Sequence, residues 1–425
     1  MHFDSLQGWL AWQESFHPRS IDLGLDRVRK VFRALNPGAG KSLPTITVAG
    51  TNGKGSCIAF LQAIYRAQGY RVGAYTSPHL LNYNERISID GQPVADAVIC
   101  AAFERIEAVR DAVSLSYFEF GTLAALDIFR RSNLDVQLLE VGLGGRLDAV
   151  NIIAADTVII TSICIDHCDW LGETREAIGK EKAGVFRPGV PAIIGDPDPP
   201  QTLLQSARDM NTPLLCIDRD FRYKKQAQTW DWLSGSRTLS ALPAPALQGE
   251  HQYGNASSVL AAIEAMAAEL PVDEKSIRQG MIKVRLPGRF QFIDGRPAVL
   301  LDVGHNPQAV RSLAVMLRQA FFGRSVHAVF AMSKDKDIKG VINIMKPLVT
   351  TWYIAPLLNP RTAGKRVMHE AFRHCKVRNV MGDLADFHEA VAMAKANANA
   401  DRGDLILVFG SFFLVSEYLA EFEQR

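Results

Sequence analysis

The chain has 425 residues, of which 48% are hydrophobic and 22% charged, as is ordinary for a globular protein of two or three domains. Its formal net charge of +2 argues against broad polyanion binding, so no nucleic-acid partner is expected. The sequence has neither a run of about 18 apolar residues nor a cleavable apolar leader, so we expect a cytoplasmic protein that does not bind a membrane.

Short apolar runs alternate with amphipathic helical patterns in the first half of the chain. Predicted strands occupy residues 45–50, 71–77, 136–142, 157–163 and 191–196, with predicted helices at 54–68 and 119–131. Strands that are separated by helices indicate a parallel, doubly wound α/β sheet. Ligands of such sheets bind outside the carboxyl ends of the strands, so the polar residues that follow these strands are candidate site residues.

The pattern changes in the second half of the chain. Residues 197–250 are rich in Pro, Gln and Thr, which predicts short antiparallel strands and loops before a helix at about 254–269. Prolines, glycines and arginines in 285–297 predict a hinge at 287–297. Strands are predicted again at 298–304, 326–332, 351–355 and 404–410, with helices at 307–321 and 383–398. We therefore expect a large domain at 1–286 and a smaller α/β domain at 298–425.

The stretch V-A-G-T-N-G-K-G-S at 48–56 lies between a predicted strand and a predicted helix. Glycines let backbone N–H groups approach phosphate oxygens, the helix N-terminus adds positive potential, and Lys54 adds a full charge. The spacing differs from the common G-x-x-x-x-G-K-[ST] pattern, because Gly50 stands only three residues before Gly53. The stretch indicates a polyphosphate site, with a plain tight turn as the alternative.

Three polar residues stand at or near the carboxyl ends of different predicted strands: Ser77, Glu140 and His167. A hydroxyl, a carboxylate and an imidazole can hold Mg²⁺ beside a triphosphate, although histidine is an unusual ligand for this ion. The alternatives are an N-cap for Ser77, a solvated carboxylate for Glu140 and a loop histidine for His167. The string GLGGRLDAVN at 142–151 is too long for a minimal turn and indicates a binding loop, with a surface loop that has no role as the alternative.

The six cysteines include no C-x-x-C pair. Cys164, His167 and Cys168 form a cluster that could suggest zinc, but a second pair of ligands at a fitting spacing is missing. Buried free thiols are the favoured interpretation, and they fit a reducing compartment.

Ten short motifs occur in a fixed order from about residue 20 to 415: TNGKGS, TSPHL, NERI, EVGLGGRLDAVN, TSICIDHCDWLG, EKAG, HQYGNA, LPGRF, DVGHNPQA and VFGSFF. This ordered set resembles the dihydrofolate synthase/folylpolyglutamate synthase family of the Mur ligase superfamily. The resemblance implies an N-terminal P-loop ATPase domain with a doubly wound parallel sheet and a smaller C-terminal Rossmann-like α/β domain. It also implies ATP-dependent addition of L-glutamate to dihydropteroate and to the terminal glutamate of reduced folates, through an acyl phosphate.

The family's nucleotide and metal residues can be placed on this sequence. ATP contacts fall on Gly50, Thr51, Asn52, Gly53, Lys54, Gly55, Ser56, Asn255, Arg289 and Asp302. Magnesium ligands fall on Ser77, Glu140 and His167. The resemblance makes Lys182 a carbamylated lysine, with a phosphate-facing or ion-paired ammonium as the alternative.

The resemblance also implies the residues that meet the other substrates. The pterin-bearing substrate falls near Phe118, Phe120, Thr122, Asp148 and Ala149, although both phenylalanines can instead pack in the core at a helix start. Glutamate contacts fall on Arg86, His305 and Ser411. The catalytic set is Lys54, Lys182, Asp302 and His305, of which Asp302 or His305 would orient the amine or accept its proton. Family members are often monomers, and the need for a monovalent cation such as K⁺ stays open.

Three other functions remain as alternatives. One is a ligase of the same superfamily that acts on a cell-wall precursor, against which the DVGHNP and GLGGRLDAVN strings argue. Another is a phosphotransferase or NTPase motor, but motors usually place Asp where this chain has Glu140. The last is a nucleotide sensor, which would bind ATP without forming an amide.

Overall fold

The computed structural model describes residues 3–19, 21–38, 43–235 and 237–423. The chain forms two compact units, one built from residues 1–246 and 252–285 and the other from 247–251 and 286–425. In the described residues, no helix combines the length and apolar character that a bilayer crossing requires. The predicted domain limits and the role of 287–297 as a hinge stay predictions.

The first unit contains a large mixed sheet with helices around it and a small separate sheet. Its helices are α1 (Leu6–Phe16), α2 (Asp26–Leu35), α3 (Lys54–Gln68), α4 (Asp96–Val109), α5 (Tyr117–Arg130), α6 (Cys168–Leu171), α7 (Arg175–Ala183), α8 (Gln201–Asp209), α9 (Glu250–Ala265) and α10 (Glu274–Lys283). Its strands are β1 (Thr45–Ala49), β2 (Val72–Tyr75), β3 (Ile87–Ile89), β4 (Gln92–Pro93), β5 (Val136–Glu140), β6 (Thr157–Ile160), β7 (Ala192–Ile194), β8 (Leu214–Cys216), β9 (Phe221–Lys225), β10 (Thr229–Ser234) and β11 (Thr238–Pro243).

The large sheet has the strand order β4-β3-β2-β5-β1-β6-β7-β8. All strands from β2 to β8 in this order pair in parallel, while β3 and β4 add an antiparallel edge. Every residue of β1 and β5 is buried, as expected for central strands that helices cover on both faces. Helix α5 is buried along most of its length and forms part of the main core.

The second unit is a six-stranded sheet with its own core and its own helices. Its strands are β12 (Gln291–Ile293), β13 (Ala298–Asp302), β14 (Val326–Phe330), β15 (Thr351–Ile354), β16 (Val380–Met381) and β17 (Leu405–Phe409). Its helices are α11 (Pro307–Ala320), α12 (Ile338–Met345), α13 (Lys365–His374), α14 (Phe387–Asn397) and α15 (Phe412–Glu423). The order is β12-β13-β17-β14-β15-β16, and only β12 is antiparallel to its neighbour. The predicted α/β fold class is therefore confirmed.

The prediction of strands and loops throughout 197–250 is wrong in its first part. Helix α8 and strand β8 continue the parallel sheet there, and only β9 to β11 form a small antiparallel sheet. Leu203 and Ala207 lie one helical turn apart and are buried, while Pro200 stands just before the helix and so does not interrupt it. Residues 291–293 of the predicted hinge form β12, which pairs with β13.

Candidate active site

Four neighbouring strands of the large sheet, in the order β2-β5-β1-β6, end at the same edge because they run in parallel. The phosphate loop 50–56 follows β1, and Glu140 ends β5 opposite Val48 of β1. Ser77 follows β2, and His167 follows β6. The structure thus places the phosphate loop, Ser77 and Glu140 at one sheet edge, with His167 in the segment that leaves this edge after β6.

The conformation of the phosphate loop requires two of its glycines. Gly50 has φ 140°, and a Cβ there would lie 1.8 Å from Oγ1 of Thr161. Gly53, the N-cap of α3, has φ 93°, and a Cβ there would lie 2.6 Å from Oδ1 of Asn255. Both values lie in the left-handed region that glycine tolerates best. The same contact shows that Asn255, the predicted adenine contact, lies against the loop.

Two amines point at the loop. Nζ of Lys54 donates to the carbonyl oxygens of Gly50, at 3.2 Å, and Thr51, at 3.3 Å. Nζ of Lys182 donates to the same Gly50 oxygen at 2.8 Å. Lys182 is buried, and burial, followed by the nearby charge of Lys54, lowers its pKa to about 7. A phosphate bound here would meet two amines and the N–H groups at the N-terminus of α3.

The predicted metal ligands Ser77 and Glu140 are in contact. The backbone N–H of Ser77 donates to Oε2 of Glu140 at 3.2 Å, and Glu140 is only 5% exposed. His167 has φ 53° and forms the N-cap of α6. The described residues hold no group of three His, Cys, Asp or Glu side chains suited to a metal. One carboxylate, one hydroxyl and one imidazole fit a divalent ion that takes its other ligands from phosphate and water.

Asp148 and Phe118 both lie against Gly142, where a Cβ would come 2.6 Å from Cζ of Phe118 and 3.3 Å from Oδ2 of Asp148. The Asp148 carboxylate accepts the N–H groups of Leu143, at 2.8 Å, and Val150, at 3.0 Å. Burial raises the pKa of Asp148 to about 6, although these N–H groups and the charge of Lys54 act in the opposite direction. This carboxylate therefore titrates close to neutral pH.

The other predicted pterin residues are buried. Phe120 is fully buried, with its ring 5.6 Å from Trp12 and 5.9 Å from Phe103. Thr122 is 1% exposed and donates to the carbonyl of Phe118 at 2.9 Å. Ala149 is 4% exposed in the turn after Asp148. Phe120 therefore packs in the core and Thr122 holds the backbone of Phe118, while their contact with the pterin stays a prediction.

Arg86, predicted near glutamate, belongs to the first unit. Its Nε donates to Nδ1 of His79 at 2.8 Å, and its guanidinium lies 5.5 Å from the ring centres of both Tyr83 and Tyr117. Burial and the charge of Arg86 lower the pKa of His79 to about 4, so this imidazole is neutral and accepts the bond. Two aromatic rings and a neutral histidine thus fix a cation in place.

The second unit brings its own candidates together at the ends of β13 and β17, which are adjacent strands. Asp302 ends β13 and accepts the N–H groups of Phe290, at 2.9 Å, and Gly304, at 2.7 Å. Burial raises the pKa of Asp302, and the charge of Arg289 opposes this shift. Arg289 also lies 5.2 Å from the ring centre of Phe412. The structure therefore joins Asp302 and Arg289 in one cluster.

His305 and Ser411 belong to the same cluster. Nδ1 of His305 lies 2.9 Å from the carbonyl oxygen of Val303, and because a carbonyl only accepts, Nδ1 carries the proton. Nε2 is therefore the basic nitrogen of the neutral ring. The His305 ring lies 5.9 Å from that of Phe412, and the buried Ser411 accepts the N–H of Phe413 at 3.1 Å.

Sequence reasoning missed two residues at these sheet edges. Tyr75 ends β2, its ring lies 5.9 Å from Phe118, and its hydroxyl is 3.3 Å from Oγ1 of Thr122. Its place at the carboxyl end of β2, two residues before Ser77, was the available signal. Lys336 follows β14 with a side chain that is only 6% exposed. Its Nζ lies 3.9 Å from Oδ2 of Asp335, so the amine is paired with a carboxylate in the loop after β14.

Comparison with known proteins agrees with this geometry. Residues 288–412 match the family described as Mur ligase, glutamate ligase domain. The dihydrofolate synthase/folylpolyglutamate synthase of Escherichia coli K12 is 41% identical over 421 residues, covering 99% of this chain and 96% of that protein.

Two solved structures extend the comparison. Escherichia coli FolC in complex with DHPP and ADP superimposes with a TM-score of 0.92 at 40% identity, covering 99% of this chain and 98% of that one. A bifunctional folylpolyglutamate synthase/dihydrofolate synthase with Mn, AMPPNP and L-glutamate bound gives a TM-score of 0.89 at 42% identity with the same coverage. The chain belongs to the dihydrofolate synthase/folylpolyglutamate synthase family.

Proposed function

We propose that this chain is an ATP-dependent carboxylate–amine ligase. It joins L-glutamate to dihydropteroate, giving dihydrofolate, and to the terminal glutamate of reduced folates, giving polyglutamates, with release of ADP and phosphate. The proposal rests on similarity over nearly the whole chain to a structure that holds Mn, AMPPNP and L-glutamate. It is supported by the phosphate loop, Lys182 and Asp148, which lie together in the first unit.

In the first step, the substrate carboxylate attacks the γ-phosphorus of ATP, and the bond to the β-phosphate oxygen breaks. An acyl phosphate and ADP form. Two anions must approach each other, so cations that offset their repulsion stabilise the transition state. We assign this role to Lys54 and Arg289, while Asn255 contacts the adenine. Loop 50–56 binds phosphate through the N–H groups at the start of α3, since those of Thr51 and Asn52 already donate to Ser162. When bound, Mg²⁺ would be held by Ser77, Glu140 and His167 and would neutralise phosphate charge.

In the second step, the α-amine of L-glutamate attacks the acyl carbon, and phosphate leaves as the amide forms. The amine must lose a proton, and a base within reach accelerates this transfer. Nε2 of His305 is suited to accept it, because Nδ1 is already committed to Val303. Arg86 and Ser411 are assigned to the glutamate itself, and Asp302 orients Arg289.

We further propose that Lys182 is carbamylated. A lysine with a pKa of about 7 is about half neutral at pH 7. Its nitrogen lone pair attacks the carbon of CO₂, one carbon–oxygen π pair moves onto oxygen, and the N–H proton passes to water. The product is a carbamate anion next to Lys54. The repulsion between two ammonium groups is thereby replaced by attraction between the carbamate and Lys54.

This modification predicts a dependence on bicarbonate. Turnover of the wild-type protein should fall when bicarbonate is removed and recover when it is restored, and a peptide containing Lys182 should gain the mass of one CO₂. Lys182→Met should lower kcat by about 10²-fold and abolish the bicarbonate response. Lys180→Met, at an exposed position on the same helix, is the matched control. Wild-type turnover that does not change when bicarbonate is removed would contradict the proposal.

The pterin contact predicts a pH dependence. An ionised Asp148 accepts hydrogen bonds from the amino and ring N–H groups of a pterin, whereas a protonated carboxyl cannot do so on both oxygens. Its pKa is about 6, so the contact is present above pH 6 and is lost as the pH falls below it. The Kd of dihydropteroate, measured by fluorescence titration, should rise by up to about tenfold per pH unit there. Asp148→Asn should bind weakly with a flat pH profile, and a wild-type profile in that variant would refute the contact.

The function itself is tested by a coupled phosphate-release assay. Purified protein with ATP and Mg²⁺ receives dihydropteroate or tetrahydrofolate, with and without L-glutamate. Phosphate release that needs both the pteroate compound and glutamate, together with a detectable amide product, supports the ligase. Turnover without glutamate would favour a phosphotransferase. The same assay repeated with and without K⁺ tests the need for a monovalent cation.

A further inference from the structure

We infer that Arg175 and Asp196 are positioning residues for the nucleotide. They act through residues 161–164, the segment that follows β6 and contacts the phosphate loop. This inference rests on the proposed function only in naming the nucleotide as ATP or ADP. Neither residue is a candidate for contact with a substrate.

The loop is held to the 161–164 segment by several hydrogen bonds. The N–H of Thr51 donates to the carbonyl of Ser162 at 2.6 Å, and the N–H of Asn52 donates to Oγ of Ser162 at 3.3 Å. Oγ1 of Thr51 donates to the carbonyl of Cys164 at 3.2 Å and lies 3.1 Å from its N–H. The position of the loop therefore depends on Ser162 and Cys164, which flank Ile163.

Arg175 and Asp196 bind the peptide groups of Ile163 from both sides. The N–H of Ile163 donates to Oδ2 of Asp196 at 2.7 Å. Nε of Arg175 donates to the carbonyl of Ile163 at 2.9 Å, and its Nη2 lies 3.2 Å from Oδ1 of Asp196. Asp196 is only 5% exposed, and bonds between charged groups and a buried backbone are stronger than neutral ones. Arg175 and Asp196 thus fix Ile163, which lies between Ser162 and Cys164, the two residues that hold the loop.

The same arginine connects this segment to a second part of the site. Arg175 is the first residue of α7, the helix that carries Lys182 on its last turn. His167 follows the 161–164 segment by three residues. Removing the Arg175 bonds should therefore loosen the loop relative to Lys182 and His167. The bonds that hold Asp148, to the N–H groups of Leu143 and Val150, do not involve Arg175.

Arg175 also offers a matched control. Its Nη1 donates to Oδ2 of Asp198 at 2.8 Å, but the Asp198 side chain is 89% exposed. Asp198→Asn removes charge from the outer side of the same arginine and leaves the bonds to Ile163 and Asp196 in place. An exposed pair of this kind contributes little.

The test compares Arg175→Met with Asp198→Asn and the wild type by calorimetric titration with ADP and, separately, with dihydropteroate. Arg175→Met should weaken ADP binding by about tenfold, since it loses charge-assisted bonds that hold the segment. In this variant the Kd of dihydropteroate should stay within about twofold of the wild-type value. Asp198→Asn should leave the Kd of both ligands within the same range. In turnover, the KM of ATP should rise more than the KM of dihydropteroate.

Two results would overturn the inference. One is a folded Arg175→Met protein whose ADP affinity equals that of the wild type. The other is an equal loss of both affinities, which would show a general structural role. If Arg175→Met does not fold, Asp196→Asn replaces it under the same criteria. ADP binding is measured without turnover, so a wild type that binds ADP and fails to form an amide would refute only the proposed ligase.

Discussion

Lys54→Met is expected to lower kcat by at least about 10²–10³-fold, the range found when one preorganised donor to a transition-state anion is removed. Lys54 is the first residue of α3, and its amine lies at the loop, bound to the carbonyls of Gly50 and Thr51. Methionine keeps the length of the side chain and removes the charge. The measurement is glutamate-dependent phosphate release at saturating ATP, with single-turnover detection of ADP to isolate the first step.

The control for this variant is Lys283→Met, which removes an exposed lysine from the end of α10 in the same unit. It should retain wild-type turnover. Lys54→Met should also keep its fold, since the Lys54 bonds to two loop carbonyls are partly exposed and contribute little to stability. Wild-type activity of Lys54→Met at ordinary ATP concentrations would show that the loop does not bind the reacting phosphates.

His305→Ala is expected to reduce amide formation by about 10²–10⁴-fold, the usual range for loss of a general base, and to leave ATP affinity within about twofold. The structure gives the reason, because the bond from Nδ1 to Val303 leaves Nε2 as the basic atom. Acyl phosphate should still form in the variant and then react with water. ADP release should therefore exceed amide product, whereas the wild type should form them in equal amounts.

His388→Ala is the matched control, since this histidine lies in the second unit with a side chain that is 64% exposed. His388→Ala should match the wild type in amide formation and in ATP affinity. His305→Gln adds a second comparison, because glutamine can still donate a hydrogen bond but cannot act as a base. Equal losses of ATP binding and amide formation in His305→Ala would show that His305 has no specific role in the second step.

The sequence predicted the parts of the site that follow from strand order and strand ends. In a parallel sheet all carboxyl ends lie at one edge, so the sequence alone groups residues 50–56, Ser77 and Glu140. The prediction of α3 at 54–68 matches the structure because the glycines at its two ends bound an uninterrupted helical pattern.

The remaining features depend on contacts between distant segments. Arg175 and Asp196 are ordinary charged residues in the sequence, and only the fold brings both to the peptide groups of Ile163. Phe118 and Phe120 are two residues apart on α5, yet only Phe120 is fully buried in the core. The low pKa of Lys182 likewise follows from burial, which a helical pattern does not reveal.

The order of strands in the first unit has a consequence for folding. Loop 50–56 lies next to Glu140 and Thr161, which are separated from it by many residues of chain. Closing such long loops costs conformational entropy, which is offset only when the sheet is complete. The sheet edge therefore does not form in the unfolded chain. A nucleotide should then bind the native state alone and shift the unfolding equilibrium toward it. At a concentration about 100 times its Kd, it would raise the free energy of unfolding by about 2.7 kcal/mol.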